Sequence, residues 1–307
     1  MNSQQNPPEQ GNLIPVRAAP SYRLPAGLEL GRVRLQVADL ERSLAWYGDV
    51  LGFTIASRDG QRAVLTADGD GPPLLELHEH PGTAPVPPRG RPGLYHFAIL
   101  LPDRAALGRF VSHLAERGTR AGASDHLVSE ALYLQDPDGL GIEVYADRPR
   151  SQWRQQDAQL QMATRPLDLH NLVQAAEGRP WTGLSAGTKM GHLHLHVGDL
   201  EQAERFYHEA LGFDATVWNY PGALFLSAGG YHHHLGLNTW AGASPPAGPD
   251  DARLLEWELL LPGRSDVEAA VASLREAGYP VGVQENGASV TTDPWGIRLR
   301  LTPVQNG

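Results

Sequence analysis

An internal repeat constrains this chain more than any other feature of its sequence. The segment VRLQVADLERSLAWYGDVLGF at 33–53 matches LHLHVGDLEQAERFYHEALGF at 193–213, with an offset of 160 residues (193 − 33). A second pair, LYHFAILLP at 94–102 and LLEWELLLP at 254–262, keeps the same offset (254 − 94 = 160). Self-similarity at a fixed spacing indicates repeated structural units. Because each half contains two such segments, the sequence predicts four related modules.

Each module is predicted to contain one strand, one helix and three further strands. The residues of 33–37 alternate between apolar and polar, as in a half-buried strand. Asp39 and Asp199 then stand where a helix N-cap belongs, and Gly52 and Gly212 stand where these helices should end. Turn sequences such as DPDG and DPWG separate the short strands that follow. The pattern therefore predicts a β-α-β-β-β unit.

Two longer helices are predicted in the second and fourth modules. They run from about Asp103 to Arg117 and from Ser265 to Ala277. Ser265 and Glu268 have the spacing of a capping box at the start of the second of these helices.

The repeat also predicts the domain organisation. Residues 1–28 are rich in Pro and Gln and are expected to form a flexible N-terminal arm. Residues 29–148 hold modules 1 and 2, and 188–307 hold modules 3 and 4. Residues 149–187 are expected to form a connector, with a short helix near 168–176. The predicted fold class is α+β, with the four modules arranged as two paired domains with cupped mixed sheets.

Composition excludes several classes of protein. The 307 residues contain no cysteine, which excludes disulfide scaffolds, thiolate zinc sites and a cysteine nucleophile. The formal net charge of −10 argues against a nucleic-acid partner. No apolar run is long enough for a membrane helix, and the polar start lacks the pattern of a secretory signal. We therefore expect a cytoplasmic protein without membrane contact, as a monomer or a homodimer.

Several polar side chains interrupt strands that are otherwise apolar. His192 shares one strand face with His194 and His196, because side chains alternate across a strand. His96, Glu143 and His234 interrupt other strands in the same manner. Because His232 and His234 share one strand face, the alternation does not decide which of them faces the site. Buried polar groups are costly unless they are paired, and a metal ion is one way to satisfy them. For His194 and His196, a solvated or hydrogen-bonded role is favoured over metal ligation.

The modules resemble those of the vicinal oxygen chelate superfamily, which includes glyoxalase I, fosfomycin and bleomycin resistance proteins and extradiol ring-cleaving dioxygenases. The resemblance rests on the β-α-β-β-β unit, the V-x-D-L-x-x-(S/A)-x-x-(F/W)-Y helix entry and the DPDG-x-x-I-E-V ending. It covers about residues 29–148 and 188–303. In that superfamily a metal ion takes its ligands from the first and last strands of two modules that face one another.

Charge decides which modules are expected to share such a site. Pairing module 1 with 2, or 3 with 4, would place an always-charged guanidinium where the cation belongs. Pairing modules 2 and 3 instead brings together one set of possible ligands without arginine: His96, Glu143, His192 and His234. Pairing modules 1 and 4 leaves a balanced ionic cluster without room for a metal: Arg32, Glu76, Glu256 and Arg300.

The resemblance implies a metal-dependent extradiol dioxygenase that opens a small aromatic diol of the catechol type with O2. His96, His192 and Glu143 would form the two-histidine, one-carboxylate set that leaves positions open on Fe(II). Tyr133 would donate a hydrogen bond to the substrate oxygen, since it stands ten residues before Glu143 as in those enzymes (143 − 133 = 10). His126 would be the histidine that stands beyond the metal ligands in those enzymes. His234 would be either a fourth ligand or the base that takes a proton from the catechol.

Three alternatives remain open from the sequence. The first is a glyoxalase-like isomerase or lyase, which would use four protein ligands and Ni(II) or Zn(II). For the dioxygenase itself, Mn(II) is an alternative metal to Fe(II). A metal-free protein of the resistance type would bind an aromatic ligand in a crevice lined by Trp and Tyr side chains. A zinc ion with a purely structural role is the third alternative.

Overall fold

The computed structural model describes residues 19–284 and 288–304, and the four predicted modules are present. The elements of module 1 are β1 (Glu29–Val37), α1 (Leu40–Trp46), β2 (Thr54–Asp59), β3 (Arg62–Thr66) and β4 (Leu75–Glu79). The elements of module 2 are β5 (Gly93–Leu100), α2 (Arg104–Arg117), β6 (Gly122–Asp125), β7 (Ser129–Gln135) and β8 (Gly141–Asp147).

The second half repeats this order after a connector. The connector contains a 3₁₀ turn (Arg150–Gln152), β9 (Gln155–Gln156), β10 (Gln159–Leu160) and α3 (Leu169–Gln174). The elements of module 3 are β11 (Lys189–His196), α4 (Leu200–Glu204), β12 (Asp214–Val217), β13 (Ala223–Ser227) and β14 (Leu235–Asn238). The elements of module 4 are β15 (Arg253–Leu261), α5 (Arg264–Glu276), β16 (Val281–Val283), β17 (Ser289–Thr292) and β18 (Arg298–Pro303).

The helix ends follow the predicted signals with one exception. The Asp39 side chain accepts a hydrogen bond from the backbone N–H of Arg42, and the Asp199 side chain accepts one from that of Gln202. These bonds confirm both residues as N-caps. The capping box at Ser265 is wrong, because α5 begins one residue earlier, at Arg264. The extended residue Gly263 is its N-cap, and no side chain caps this end. Ser265 therefore lies inside the first turn.

The first helix of modules 1 and 3 ends in a wider turn. Residues Tyr47–Leu51 and Arg205–Ala210 continue α1 and α4 as π-helical turns. Gly52 then adopts a left-handed conformation with φ of 81°, which favours glycine. Tyr47 and Tyr207 are thereby buried, where they donate hydrogen bonds to carboxylates of the DPDG and DPWG turns.

The strands form two eight-stranded mixed sheets, each built from two modules. One sheet has the order β12-β13-β14-β11-β5-β8-β7-β6 and joins module 3 to module 2 through the antiparallel pair β11 and β5. The other has the order β16-β17-β18-β15-β1-β4-β3-β2 and joins module 4 to module 1 through β15 and β1. The predicted module pairing is thus confirmed. Each half of the chain contributes one module to each sheet.

The apolar faces of both sheets pack against the helices. Leu193 and Leu195 on β11 are fully buried in this core, and so are Val197 just after this strand and Trp257 on β15. Residues 1–18 of the predicted arm lie outside the described residues, whereas Leu24 and Leu28 are buried against the core. Among the described helices, none has the length and apolar character needed to cross a membrane.

Candidate metal centre and substrate pocket

Three neighbouring strands of the module 2–3 sheet bring the predicted ligands together. Ala98 on β5 lies between His192 on β11 and Glu143 on β8, because the strand registers place both opposite it. His96 stands two residues before Ala98 and so shares its face. The short Ala98 side chain leaves space above it, and the three longer side chains converge there.

The three side chains meet at one carboxylate oxygen. Glu143 Oε2 lies 3.0 Å from His96 Nε2 and 3.1 Å from His192 Nε2. All three residues are buried, with His192 only 1% exposed. Among the described residues, this is the only group of three or more His, Asp or Glu side chains whose geometry suits a metal ion.

Burial and mutual contact set the charges in this group. Burial lowers the pKa of His96 and of His192, although Glu143 opposes this effect in both cases. For Glu143 itself, burial raises the pKa, but the two histidines outweigh burial and hold it well below its usual range. The group therefore presents neutral imidazoles and an ionised carboxylate, which are the forms that bind a metal ion.

The donor set fits a divalent first-row metal. Buried His96 Nε2 has no hydrogen-bond partner, although it lies close to the Glu143 carboxylate. An unpaired nitrogen in such a place is costly, and a metal ion would satisfy it. Ligand atoms at bond lengths of roughly 2.0–2.2 Å from one ion stand roughly 3 Å apart when adjacent, as Glu143 Oε2 does from each of the two histidine nitrogens. His96, Glu143 and His192 could therefore hold one ion with positions left open.

A cavity of about 260 Å³ opens beside His96 and Glu143. Its walls are mainly aromatic and come from both modules of the sheet: Tyr95, Tyr133, Tyr220, Phe225 and Trp240. The connector closes one side with Met162, Ala163 and Thr164. A volume of this size and a lining of this kind suit a small aromatic ring.

Tyr133 and His126 lie together at the cavity. Tyr133 is directly opposite Glu143 in the pairing of β7 with β8, and its hydroxyl lies 2.5 Å from His126 Nε2. His126 Nδ1 lies 2.8 Å from the Ala163 carbonyl, which only accepts. In the neutral ring Nδ1 thus donates, and Nε2 accepts from the Tyr133 O–H. Burial, reinforced by Glu143, raises the pKa of Tyr133 well above its usual value.

The structure does not bring His234 to the three ligands. Its Nδ1 lies 3.2 Å from Ser227 Oγ and accepts from the backbone N–H of Ala228 at 3.2 Å, and burial lowers its pKa to about 3. Strand β14 begins only at Leu235. The alternation of side chains between the two faces of a strand therefore does not determine where His234 points. A fourth-ligand or base position for His234 therefore has no support in the geometry.

His233 lies at the cavity, whereas the alternation of the strand predicted that His232 or His234 would face it. It lines the cavity, and its ring centroid lies 4.1 Å from that of His192 and 5.1 Å from that of Phe225. The run of three histidines was a visible signal, but which of them reaches the cavity depends on the irregular backbone before β14.

His194 also lines the cavity, where it is buried rather than solvated. Its ring centroid lies 5.0 Å from that of His96, and its buried Nε2 has no hydrogen-bond partner. Gly236 permits this position, because a Cβ atom there would lie 2.8 Å from His194 Cγ. Burial, followed by the neighbouring histidines, lowers the pKa of His194 well below its usual value.

The matching position of the module 1–4 sheet holds ion pairs, as the charge argument predicts. Glu76 lies 2.8 Å from the Arg32 guanidinium, and Glu256 lies 2.7 Å from that of Arg300. Arg34 joins the two halves, with contacts of 3.1 Å to Glu76 and 2.6 Å to Glu256. Positive charges fill the place where a cation would lie, so this cluster has no metal site.

Comparison with known proteins agrees with the fold. The family described as Glyoxalase/Bleomycin resistance protein/Dioxygenase superfamily matches residues 29–144 and 189–301. The chain therefore belongs to this superfamily. It is 46% identical over 265 residues to catechol-2,3-dioxygenase of Bacillus subtilis (strain 168), which covers 85% of this chain and 92% of that protein. A 2,2',3-trihydroxybiphenyl dioxygenase of Sphingomonas paucimobilis is 23% identical over 248 residues, covering 79% and 74%.

Solved structures share the same fold. A putative dioxygenase from Bacillus subtilis subsp. subtilis str. 168 superposes with a TM-score of 0.64 at 13% identity, over 93% of this chain and 87% of that one. Glyoxalase I from Zea mays gives 0.52 at 19% identity, over 90% and 92%. At these identities the structural likeness shows the fold alone.

Proposed function

We propose that this protein is a metal-dependent extradiol ring-cleaving dioxygenase that opens a catechol-type aromatic diol with O2. The observation that carries the proposal is the convergence of His96 and His192 on Glu143 beside an aromatic cavity. The 46% identity to a catechol-2,3-dioxygenase supports it independently.

His96, His192 and Glu143 hold the metal ion in this proposal, and Fe(II) suits them best. Two histidines and one carboxylate on one face of the ion leave positions for exogenous ligands. When bound, Fe(II) supplies adjacent coordination positions for the diol and O2 and conducts electron density between them. The protein supplies a buried, preformed set of donors in the correct charge states.

The cavity walls orient the diol ring. Phe225 and Trp240 offer aromatic surfaces to the ring. Tyr133 donates a hydrogen bond to His126, which leaves the Tyr133 oxygen as an acceptor for a substrate hydroxyl. This assignment reverses the donor role that the resemblance implied for Tyr133.

His233 is the proton acceptor in this proposal, in place of His234. Burial lowers the pKa of His233 well below its usual value, so the imidazole is neutral before substrate binds. A neutral imidazole in the cavity wall can take a proton from a diol hydroxyl.

The geometry favours this function over the isomerase alternative. A glyoxalase-like site would use four protein ligands, and His234 was the predicted fourth. Its side chain bonds to Ser227 and Ala228 instead, which leaves three converging ligands among the described residues.

Oxygen uptake with catechol tests the proposal. Protein prepared anaerobically and loaded with Fe(II), Mn(II), Ni(II) or Zn(II) in separate samples is mixed with catechol in an oxygen electrode. We expect uptake of O2 and a ring-opened product with Fe(II), and a loss of about 100-fold or more in His96→Ala and Glu143→Gln. The exposed His170→Ala is the matched control and should keep full activity. Absence of oxygen uptake with all four metals would contradict the proposal.

A further inference from the structure

A hydrogen-bonded series of side chains runs from the surface to the cavity through two of the three consecutive histidines. His233 Nδ1 lies 2.7 Å from His232 Nδ1, and His232 Nε2 lies 2.9 Å from Asp147 Oδ1. The Asp147 side chain is 27% exposed, whereas that of His232 is fully buried. We call these three residues the Asp147–His232–His233 array.

The donor and acceptor chemistry of the side chains fixes the direction of each hydrogen bond in this array. An ionised carboxylate only accepts, so His232 Nε2 must carry the proton that it donates to Asp147. In a neutral imidazole the other nitrogen is then an acceptor, so His232 Nδ1 accepts a hydrogen bond. Its partner in that bond is His233 Nδ1, which must therefore carry a proton. The neutral His233 ring is left with a bare Nε2.

That bare nitrogen belongs to the ring that lines the substrate cavity. His233 packs between His192 and Phe225, and no described residue forms a hydrogen bond with its Nε2. A substrate hydroxyl beside the candidate metal centre would find an acceptor there rather than a second donor.

The surroundings of the array hold its members in place. The Tyr231 hydroxyl donates to Asp147 Oδ1 at 3.3 Å and lies 2.7 Å from the Tyr145 hydroxyl. Trp153 of the connector covers His232, with ring centroids 5.4 Å apart. These contacts limit the freedom of Asp147 and His232 to reorient.

We propose that Asp147 and His232 are positioning residues that hold His233 as the Nδ1–H tautomer, with Nε2 directed as an acceptor toward a hydroxyl of the bound diol. The identity of that ligand rests on the proposed function. The tautomer itself does not, since it follows from hydrogen bonds within the chain.

Nitrogen NMR reads the tautomer directly. The full chain is labelled with ¹⁵N-histidine and loaded with diamagnetic Zn(II), and long-range ¹H–¹⁵N correlations are recorded, with His233 assigned from the missing signal of His233→Gln. We expect His233 in the Nδ1–H form in the wild type. In Asp147→Leu the acceptor for the His232 Nε2–H is lost, so the hydrogen bond that selects the His232 tautomer is removed and His233 should shift toward the Nε2–H form. Tyr231→Phe is the matched control, because it removes a hydrogen bond to the same carboxylate but should leave the tautomer unchanged.

Kinetics of the Fe(II) enzyme with catechol provide a second readout. Asp147→Leu should lower kcat by about 10- to 100-fold, with KM within about threefold and metal content unchanged. A wild-type His233 in the Nε2–H form overturns the inference, whether or not any variant folds. An unchanged tautomer in a folded Asp147→Leu overturns it as well. Wild-type protein with the expected tautomer but no oxygen uptake would instead contradict the proposed function alone.

Discussion

Arg34 and His194 stand at the same position of the repeat (194 − 34 = 160), one in each sheet, and their surroundings are opposite. The Arg34 guanidinium joins Glu76 and Glu256 across the module 1–4 sheet. The His194 imidazole instead packs beside His96, with its Nε2 unpaired. One repeated framework thus carries a cluster held by ion pairs in one sheet and a candidate metal centre in the other.

Substitution of Arg34 should destabilise the protein without affecting the metal. Arg34→Met removes the cation that joins two buried carboxylates, and breaking a buried ion pair costs about 3–5 kcal/mol. Urea unfolding should show a loss of about 2–4 kcal/mol, while the metal content of the folded protein stays unchanged. The exposed Arg179→Met is the control, with an expected loss below about 1 kcal/mol. A loss of metal in Arg34→Met would contradict the separation of the two sites.

Glu76 should make stability depend on acid pH. Burial raises its pKa, but His78, Arg32 and Arg34 together lower it to about 2, from 4.5. A folded pKa below the unfolded value stabilises the folded state above about pH 4.5, and this stabilisation is lost as the pH falls from about 5 to 2. Glu76→Gln should therefore cost roughly 1–3 kcal/mol at pH 7, and less at pH 3.5.

Unfolding of wild type and Glu76→Gln by urea at pH 7, 5 and 3.5 measures this dependence. The exposed Glu177→Gln is the matched control, because its ion pair with Arg179 lies in water. A constant difference in the free energy of unfolding between wild type and Glu76→Gln across this range would contradict the account.

Gly236→Ala should disturb the cavity through His194. The added Cβ would lie 2.8 Å from His194 Cγ, and overpacking of this kind costs about 1–3 kcal/mol. Thermal unfolding should show the loss, and KM for catechol should rise because His194 lines the cavity. Gly282→Ala is the matched control in another strand, where the nearest atom would lie 3.9 Å away. Equal stability of the two variants would show that the site tolerates the displacement.

Tyr133→Phe should lower kcat for catechol by about 10- to 100-fold, because it removes a polar group that contacts the substrate hydroxyl and holds His126. Tyr95→Phe is the control, since the Tyr95 ring lines the same cavity and its hydroxyl makes no hydrogen bond to a described residue. We expect a change below about twofold for Tyr95→Phe. Similar kinetics for both variants would remove Tyr133 from the mechanism.

The sequence predicts the modules and their pairing because both depend on strong local signals. Helix caps at Asp39 and Asp199 and alternating strands define each module. The arginines at Arg32 and Arg300 argue against a metal in two of the possible pairings, and the strand order of the sheets confirms the pairing of modules 2 and 3.

Other features depend on tertiary contacts that no periodicity encodes. The irregular backbone before Leu235 directs His233 rather than His234 into the cavity. The connector supplies Ala163, whose carbonyl fixes His126, from a segment without regular alternation. The start of α5 depends on the conformation of Gly263, which a capping-box pattern at Ser265 did not reveal.

An anomalous-difference map of crystals of the Fe(II)-loaded protein, recorded at the iron absorption edge, tests the central claim most directly. The account predicts one strong peak per chain, about 2.0–2.2 Å from His96 Nε2, His192 Nε2 and a carboxylate oxygen of Glu143. That peak should be absent in crystals of His96→Ala. A peak at the ion-pair cluster around Arg34, or its persistence at the same place in His96→Ala, would contradict it.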